Sequence, residues 1–184
     1  MFTGNNASLY HTVSKHFCPQ QIIEVGISSS LKISTTAAKL NAGESAAGVP
    51  QTDITIIEQF LDQVHNSHLL KADGINRLII KKIQDVPLEE FHVLEANNIL
   101  FLDSLHVVVT GTDTVHEFLN ILPCLASRVI LHVHDIFLPN DLPQRWILDA
   151  DRGWAEQYLL AAFLMYNSDF KVVASSAYMA HHHR

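Results

Sequence analysis

The chain has 184 residues, a length that suits one globular domain better than two. Hydrophobic residues make up 48% of it and charged residues 17%, which is typical of a protein with a sizeable core and excludes a disordered chain. The 12 Lys and Arg against 19 Asp and Glu give a formal net charge of -7, which disfavours nonspecific nucleic-acid binding because that needs a basic face.

The sequence also indicates where the protein resides. No apolar run approaches the roughly 20 residues needed to span a bilayer. The N-terminal residues lack the basic-then-apolar layout of a secretion signal. Cys18 and Cys124 are too few and too far apart for a disulfide framework or a zinc site, so we expect reduced and mostly buried thiols. These features predict a cytoplasmic protein with no membrane partner.

Helical and strand patterns alternate along the chain. Leu9, Val13 and Phe17 recur at helical spacing before Pro19, which predicts an N-terminal helix. Apolar runs bounded by turn residues predict six strands, at residues 21–26, 53–58, 77–83, 98–103, 128–135 and 170–175. Segments with an apolar face predict helices between them, at residues 31–40, 60–70, 88–96, 116–125 and 153–166. Residues 41–51, rich in Gly, Ala and Ser, predict a loop.

This alternation predicts the fold class. Strands that alternate with helices indicate an α/β fold with a doubly wound, mostly parallel sheet and helices on both faces. The strands are apolar throughout, as expected when both faces are buried. We find no internal repeat, so residues 1–180 are expected to form one domain. The His-rich residues 181–184 resemble an expression-tag remnant and carry no functional inference.

Acidic residues lie at the ends of several predicted strands. Glu58, Asp103 and Asp135 end their strands, and Glu24 lies two residues before Gly26. In an open α/β sheet, ligands bind outside the carboxyl ends of the strands, near the point where the strand order reverses. Any one of these acids could simply cap a helix or solvate a loop. Four acids at the same edge favour a ligand site.

Residues at the ends of the first three predicted strands suit parts of a nucleotide-like ligand. Gly26 begins a turn into a helix, where free backbone N–H groups can receive polar ligand groups, although an ordinary strand–helix turn has the same pattern. Glu58 could accept hydrogen bonds from both hydroxyls of a ribose. Gln84 and Asp85, after the third strand, could meet an adenine edge or form an ordinary loop.

The densest polar set follows the fourth and fifth strands. If these strands are neighbours, Asp103 and Asp135 lie side by side, with His106 and His134 close to them. Carboxylates with an imidazole suit a divalent cation such as Mg²⁺, here on Asp103, His134 and Asp135. The same groups suit acid–base catalysis by His106, His134 and Asp135. His132, two residues before His134, could instead be a hydrogen-bonded core residue.

Aromatic residues crowd the region after the fifth strand. Residues 140–151 are expected to form a lid over the strand ends, with Trp146 inside it. Trp154 opens the next predicted helix and is expected to pack in the core or the lid. Glu156 and Gln157, beside it, could face the site.

Together these residues resemble the class I S-adenosylmethionine (SAM)-dependent methyltransferases, and among them a bacterial branch of small methyltransferase-like domains. The similarity runs from about Leu9 to Met179. Its most specific segments are residues 133–139, 146, 154–160, 162–164 and 166–167. Residues 84–87 and 100–107 also match segments of that family. The resemblance implies a Rossmann-like sheet and SAM as the cofactor.

The resemblance also implies roles for individual residues. It assigns the cofactor site to residues at the strand ends: Glu24, Gly26, Ser28, Ser30, Glu58, Asp85 and Asp103. Among these, Glu58 would hold the ribose, Asp85 would lie near the adenine and Asp103 near the transferred methyl. Metal-dependent relatives hold Mg²⁺ at places that Asp103 and Asp135 match. The resemblance implies O-methylation of a small-molecule acceptor, and the match at Asp103 and Asp135 implies assistance by a divalent metal.

Departures from the family pattern motivate a second hypothesis. Ser28 replaces the family's second glycine, and its Cβ would crowd the backbone where the methionine end of SAM should lie. The chain also ends near Met179, before a seventh strand. The alternative is therefore a methyltransferase-like binding or assembly domain that no longer binds SAM, with an open sheet edge that favours a homodimer. A metal-dependent hydrolase is a third hypothesis, but no Gly-x-Ser-x-Gly elbow supports it.

Overall fold

The computed structural model describes residues 4–44, 51–60 and 74–182. Within these ranges, a single parallel sheet is built from five strands: β1 Gln21–Val25, β2 Asp53–Glu58, β3 Arg77–Ile80, β4 Ile99–Leu102 and β5 Ile130–Val133. Their spatial order is β3-β2-β1-β4-β5, and every pair is parallel. The predicted α/β class with a Rossmann-like, doubly wound sheet is confirmed.

The central strand β1 marks the point where the strand order reverses. Its last residue, Val25, pairs with Ile57 of β2 on one side and with Leu102 of β4 on the other. The next two strands along the chain, β2 and β3, lie on one side of β1, and β4 and β5 lie on the opposite side. The carboxyl ends of β1, β2 and β4 therefore meet at one crevice, which is where ligands bind in sheets of this kind.

Helices cover both faces of the sheet. In chain order they are α1 Gly4–Phe17, α2 Ser30–Glu44, α3 Asp113–His116, α4 Gln144–Leu148, α5 Glu156–Met165 and α6 Ser176–His182. A π-helical turn, Glu117–Ile121, directly extends α3. No helix in the described ranges is long and apolar enough to cross a bilayer.

The alternation of side chains along each strand divides the core into two buried clusters. One cluster joins the sheet to α1 and α2: Tyr10, Ile22, Leu31, Ile54, Ile56, Ile99 and Phe101. The other joins it to the π-helical turn and α5, and includes Ile23, Val25, Leu100, Leu102, Phe118, Ile121 and Leu160. Glu24 follows the parity of Ile22, so its carboxyl group lies on the α1 and α2 face.

Several predicted elements differ from the structure. Residues 88–96 form only the 3-10 turn Leu88–Phe91, although Phe91 and Leu94 are buried in the core and Leu88 packs against it. The predicted strand at residues 170–175 is wrong: Val172 and Val173 are exposed, and an apolar run without a partner strand cannot form a ladder. The sheet accordingly has five described strands rather than about six.

Two boundaries and the state of the cysteines also differ. The loop predicted at residues 41–51 overlaps α2, which continues to Glu44 because the Asn41 amide donates to the Ser14 carbonyl (3.0 Å) and holds the end of α2 against α1. The helix predicted from residue 116 begins at Asp113, whose carboxylate accepts the Thr114 N–H (2.8 Å). Both free cysteines are exposed rather than buried. The helix predicted at residues 60–70 lies outside the described residues, apart from residue 60.

Candidate functional site

Gly26 occupies the turn at the end of β1. Its N–H donates to the Ile57 carbonyl (2.9 Å), and the Asp103 N–H donates to the Val25 carbonyl (2.9 Å), so β1, β2 and β4 all converge here. Gly26 has φ +87°, and an added Cβ would lie 2.1 Å from the Asp103 carbonyl oxygen. Only glycine combines this conformation with so close a backbone approach.

Glu24 faces the protein interior and not the crevice. Its buried carboxyl group accepts hydrogen bonds from the Tyr10 hydroxyl (3.0 Å) and the Ser30 hydroxyl (2.7 Å). Burial raises the pKa of Glu24 above its ordinary value. Glu24 therefore ties α1 and the start of α2 to β1, and it acts on a ligand only through Ser30.

Ser28 occupies the turn between β1 and α2. Its hydroxyl donates to the Ser30 hydroxyl (2.9 Å) and accepts from the Ser30 N–H (3.2 Å). Ser28 also lies close enough to Asp103 to contribute to lowering the pKa of that acid. Ser28 thus joins the polar groups after β1 to those after β4, at the position where the family pattern has glycine.

Glu58 lies half-buried at the end of β2 and supports the turn after β1. One carboxylate oxygen accepts the Ile27 N–H (2.9 Å), and the other accepts the Phe60 N–H (2.6 Å). A carboxylate oxygen can accept two hydrogen bonds. Among the described residues each oxygen accepts one hydrogen bond, which leaves a second acceptor position for a ligand hydroxyl.

His106 lies between two carboxylates after β4. Its Nδ1 lies 2.6 Å from Oε2 of Glu156, and its Nε2 lies 3.5 Å from Oδ1 of Asp103. His106 has φ +59°, an uncommon conformation for a residue with a side chain. Its carbonyl accepts the N–H groups of Ala155 (2.9 Å) and Glu156 (3.2 Å). The start of α5 therefore fixes both the backbone and the ring of His106.

The charges in this Glu156–His106–Asp103 network support one another. Burial alone would lower the pKa of His106, but its hydrogen bonds and charge interactions with Asp103 and Glu156 raise it to about 10. Burial would raise the pKa of Asp103, yet the hydrogen bond from His106 and the nearby histidines lower it. Burial raises the pKa of Glu156. At neutral pH His106 is therefore an imidazolium, so it holds the carboxylates in place and does not accept a proton.

Accessibility separates the members of the network. The Asp103 side chain is 14% exposed, against 6% for His106 and 2% for Glu156. Asp103 also lies beside Gly26 at the strand reversal. Asp103 is therefore the member of the network that a ligand in the crevice can contact.

His134 and Asp135 follow β5 and form a second buried pair. His134 Nε2 lies 3.2 Å from Oδ1 of Asp135, and burial lowers the pKa of His134. His132 stacks on Phe101 with ring centroids 4.6 Å apart, and burial lowers its pKa to about 3. The alternative interpretation of His132 as a core residue agrees with this packing.

The structure brings most of the predicted site residues to one edge of the sheet. Glu24, Gly26, Ser28, Ser30, Glu58, Asp103 and His106 are linked by the contacts described above. Asp85 is exposed in the 3-10 turn Ile83–Asp85 after β3. Its neighbour Gln84 donates to the Gly111 carbonyl (3.0 Å), which ties this turn to the loop after β4. The Asp85 N–H donates to the Lys82 carbonyl (2.9 Å), within its own turn and away from the cluster.

A fully buried acid near this network was not anticipated from the sequence. Glu117 lies in the π-helical turn, where its Oε2 accepts the Ser104 hydroxyl (3.1 Å). Burial, reinforced by the charges of Glu156 and Asp113, raises the pKa of Glu117 well above its ordinary value. The available signal was an acid directly before Phe118, at helical spacing from Asp113, Thr114 and Ile121.

Comparison with known proteins does not assign this chain to a family. No protein-family model, curated protein or solved structure matches this chain. The chemistry of the site is therefore inferred from its own geometry. That geometry comprises a glycine turn at the strand reversal, a half-buried acid after β2 and a charged network after β4.

The pKa values of His106 and His132 are shifted in opposite directions. The His106 ring should remain protonated at pH 8 and the His132 ring neutral at pH 5. Because the folded pKa of His106 is raised, its contribution to stability is full below about pH 6.5 and is lost towards pH 10. The contribution of His132 is instead present above about pH 6.5 and is lost as the pH falls towards 3.

Ring-nitrogen NMR shifts measured from pH 4 to pH 10 test these assignments. His106→Gln should remove the decline in unfolding free energy at alkaline pH. It should leave the pH dependence of the unfolding free energy at acidic pH unchanged. Half-titration of the His106 ring near pH 6.5 would contradict the proposed charge of the network.

Proposed function

We propose that the protein is a SAM-dependent methyltransferase that O-methylates a small molecule at the carboxyl edge of its sheet. The observation that carries the proposal is the buried Glu156–His106–Asp103 network beside the Gly26 turn. It combines a charged, preorganised group with the crevice in which doubly wound sheets bind nucleotide-like ligands.

The residues at this edge fit an adenosyl group. The free acceptor positions on the two Glu58 oxygens match the two hydroxyls of a ribose. Gly26 leaves the strand reversal without a side chain, and Asp103 presents a partly exposed carboxylate next to it. When bound, the cofactor supplies an electrophilic methyl group, so the protein has mainly to align the acceptor.

In this proposal the residues of the network have different tasks. Asp103 contacts the acceptor and orients its hydroxyl by accepting a hydrogen bond. As the acceptor oxygen attacks the methyl group, the hydroxyl proton passes to this partly exposed carboxylate and from it to solvent. His106 and Glu156 are positioning residues, because the charge and hydrogen bond of His106 keep the Asp103 side chain fixed and ionised, and Glu156 holds the His106 ring. His134 and Asp135, predicted from the sequence as catalytic, are each about as buried as His106 and contact each other. In this proposal they have no direct contact with the acceptor, and His134 contributes to lowering the pKa of Asp103.

We propose no metal ion at the residues predicted as its ligands, because these residues contact one another and His106. His134 and Asp135 direct their polar atoms at each other, and Asp103 is held by His106. Among the described residues, no group of three or more His, Cys, Asp or Glu side chains is arranged to hold a metal. The proposal therefore contains no metal-dependent step.

Titration calorimetry with S-adenosylhomocysteine tests the proposal. We expect saturable binding and a rise in thermal stability with ligand concentration. Glu58→Gln should weaken binding about tenfold or more, because the amide nitrogen cannot accept a ribose hydroxyl. The matched change at the exposed Glu89, Glu89→Gln, should leave affinity unchanged. If the wild type released or absorbed no heat at millimolar ligand, the proposed methyltransferase function would be contradicted.

A second candidate function is a binding or assembly domain that has lost SAM. The Ser28 hydroxyl favours it, because this group fills hydrogen-bonding positions on Ser30 that a ligand would otherwise use and lies beside Asp103. In this candidate a second copy of the chain would pair with the outer edge of β5, which pairs with no further strand among the described residues. Binding of S-adenosylhomocysteine by Ser28→Gly, but not by the wild type, would identify this second candidate.

A further inference from the structure

Arg152 lies between two tryptophan rings next to the network. Its guanidinium carbon is 4.5 Å from the ring centroid of Trp146 and 4.4 Å from that of Trp154. The two indoles meet edge to face at 5.3 Å. The guanidinium lies in the angle between these two nearly perpendicular indoles, and contact with both rings restricts its orientation.

The guanidinium has an unmet hydrogen-bonding requirement. Its Nη1 atom is buried and has no hydrogen-bond partner among the described residues. No carboxylate within the described residues forms an ion pair with it, whereas the exposed Arg77 pairs with Glu90. A buried donor of this kind is costly unless something accepts its hydrogen bond. The Arg152 residue as a whole is only partly buried, so an oxyanion of a ligand can reach its exposed part and compensate its charge.

The stack adjoins the proposed site for chemistry. The Trp154 ring lies 4.3 Å from the His106 ring, centroid to centroid. The Arg152 N–H donates to the Trp146 carbonyl (3.0 Å), and the segment continues into Glu156, which binds His106. The stack is therefore fixed to the network through both its rings and its backbone. A small molecule whose oxyanion met Arg152 would lie close to the crevice.

We propose that the Trp146–Arg152–Trp154 stack binds the oxyanion, a carboxylate or a phosphoryl group, of the small molecule that the protein methylates. The part of this inference that concerns methylation rests on the proposed function, whereas anion binding by the stack does not. The fork of a guanidinium matches both kinds of oxyanion, and the flanking indoles provide a flat apolar wall for the rest of the molecule.

Intrinsic fluorescence reports directly on this stack, because Trp146 and Trp154 are the chain's 2 tryptophans. The protein is titrated without SAM, using benzoate as the carboxylate probe, inorganic phosphate as the phosphoryl probe and benzamide as the neutral control. We expect a saturable fluorescence change with benzoate or phosphate, and none with benzamide. The responding anion identifies the acceptor's charged group.

Variants connect the response to Arg152. Arg152→Met should weaken anion binding about tenfold or more, and Arg152→Lys should weaken it as well, because an ammonium lacks the planar fork. Arg145→Met removes an equal charge from an exposed position on α4 and should leave binding within about twofold. Circular dichroism confirms that each variant is folded. No saturable response to either anion, or an undiminished response in Arg152→Lys, would overturn the proposal.

Because SAM is absent from the titration, its result is independent of cofactor binding. Anion binding without S-adenosylhomocysteine binding would retain the stack as an oxyanion site and reject the methyltransferase. Cofactor binding without anion binding would reject only the role of Arg152.

Discussion

Glu156→Ala is expected to destabilise the fold by about 3 kcal/mol, the usual cost of removing one partner from a buried ion pair. Glu156 is buried and supplies the shortest contact to His106, at 2.6 Å. Without it, the imidazolium keeps only the longer contact to Asp103 at 3.5 Å. The positive-φ backbone of His106 would also lose the carboxylate that holds its ring.

Urea denaturation of matched variants tests this expectation. Glu156→Gln keeps the shape and an acceptor oxygen, so its loss should be smaller than that of Glu156→Ala. Glu89→Ala, at an exposed position, should change stability by no more than about 0.5 kcal/mol. If Glu156→Ala proved as stable as Glu89→Ala, the network would not be a structural unit.

Gly26→Ala is expected to cost about 3 kcal/mol or more, or to prevent folding. The added methyl group would lie 2.1 Å from the backbone oxygen of Asp103, and backbone cannot rotate away as a side chain can. The φ of +87° is strained for alanine as well. Relief would require β1 and β4 to separate at the strand reversal.

Gly43→Ala provides the control. Gly43 lies in α2, and a Cβ added there meets nothing within 4 Å. Alanine favours a helix over glycine by up to about 1 kcal/mol, so this variant should be as stable as the wild type or slightly more stable. Thermal melts of the two variants should therefore move in opposite directions. Similar losses in both would contradict the close approach of β1 and β4.

The sheet was predictable from local patterns because its strands are short apolar runs between turn residues. The segments that became β1, β2 and β4 needed only this local information, and helix alternation then set the parallel order. Residues 170–175 show the limit of such patterns. They carry the apolar composition of a strand, but pairing depends on a neighbour that composition does not supply.

The position of the site could also be predicted, but its internal chemistry could not. Strand ends placed Glu58 and Asp103 at the crevice, since parallel strands share one carboxyl edge. The contact of His106 with Glu156 joins residues 50 positions apart in the chain. Without that contact, His106 had the features of a base titrating near neutral pH, whereas its two carboxylate neighbours make it a fixed cation.

Arg152 shows the same dependence on tertiary packing. The sequence placed Trp146 and Trp154 in a lid and an adjoining helix but gave no reason to place a guanidinium between them. Glu117 was not predicted as a neighbour of the site, because periodicity identifies a buried face and does not tell what an acid on that face contacts.

The central claim, that an adenosyl group binds at the carboxyl edge, is tested most directly by a crystal structure of the protein with S-adenosylhomocysteine. We expect the ribose hydroxyls on the Glu58 carboxylate and the sulfur beside Asp103, near the Gly26 turn. Saturating ligand that left this crevice empty, or that bound at another face of the sheet, would contradict the claim.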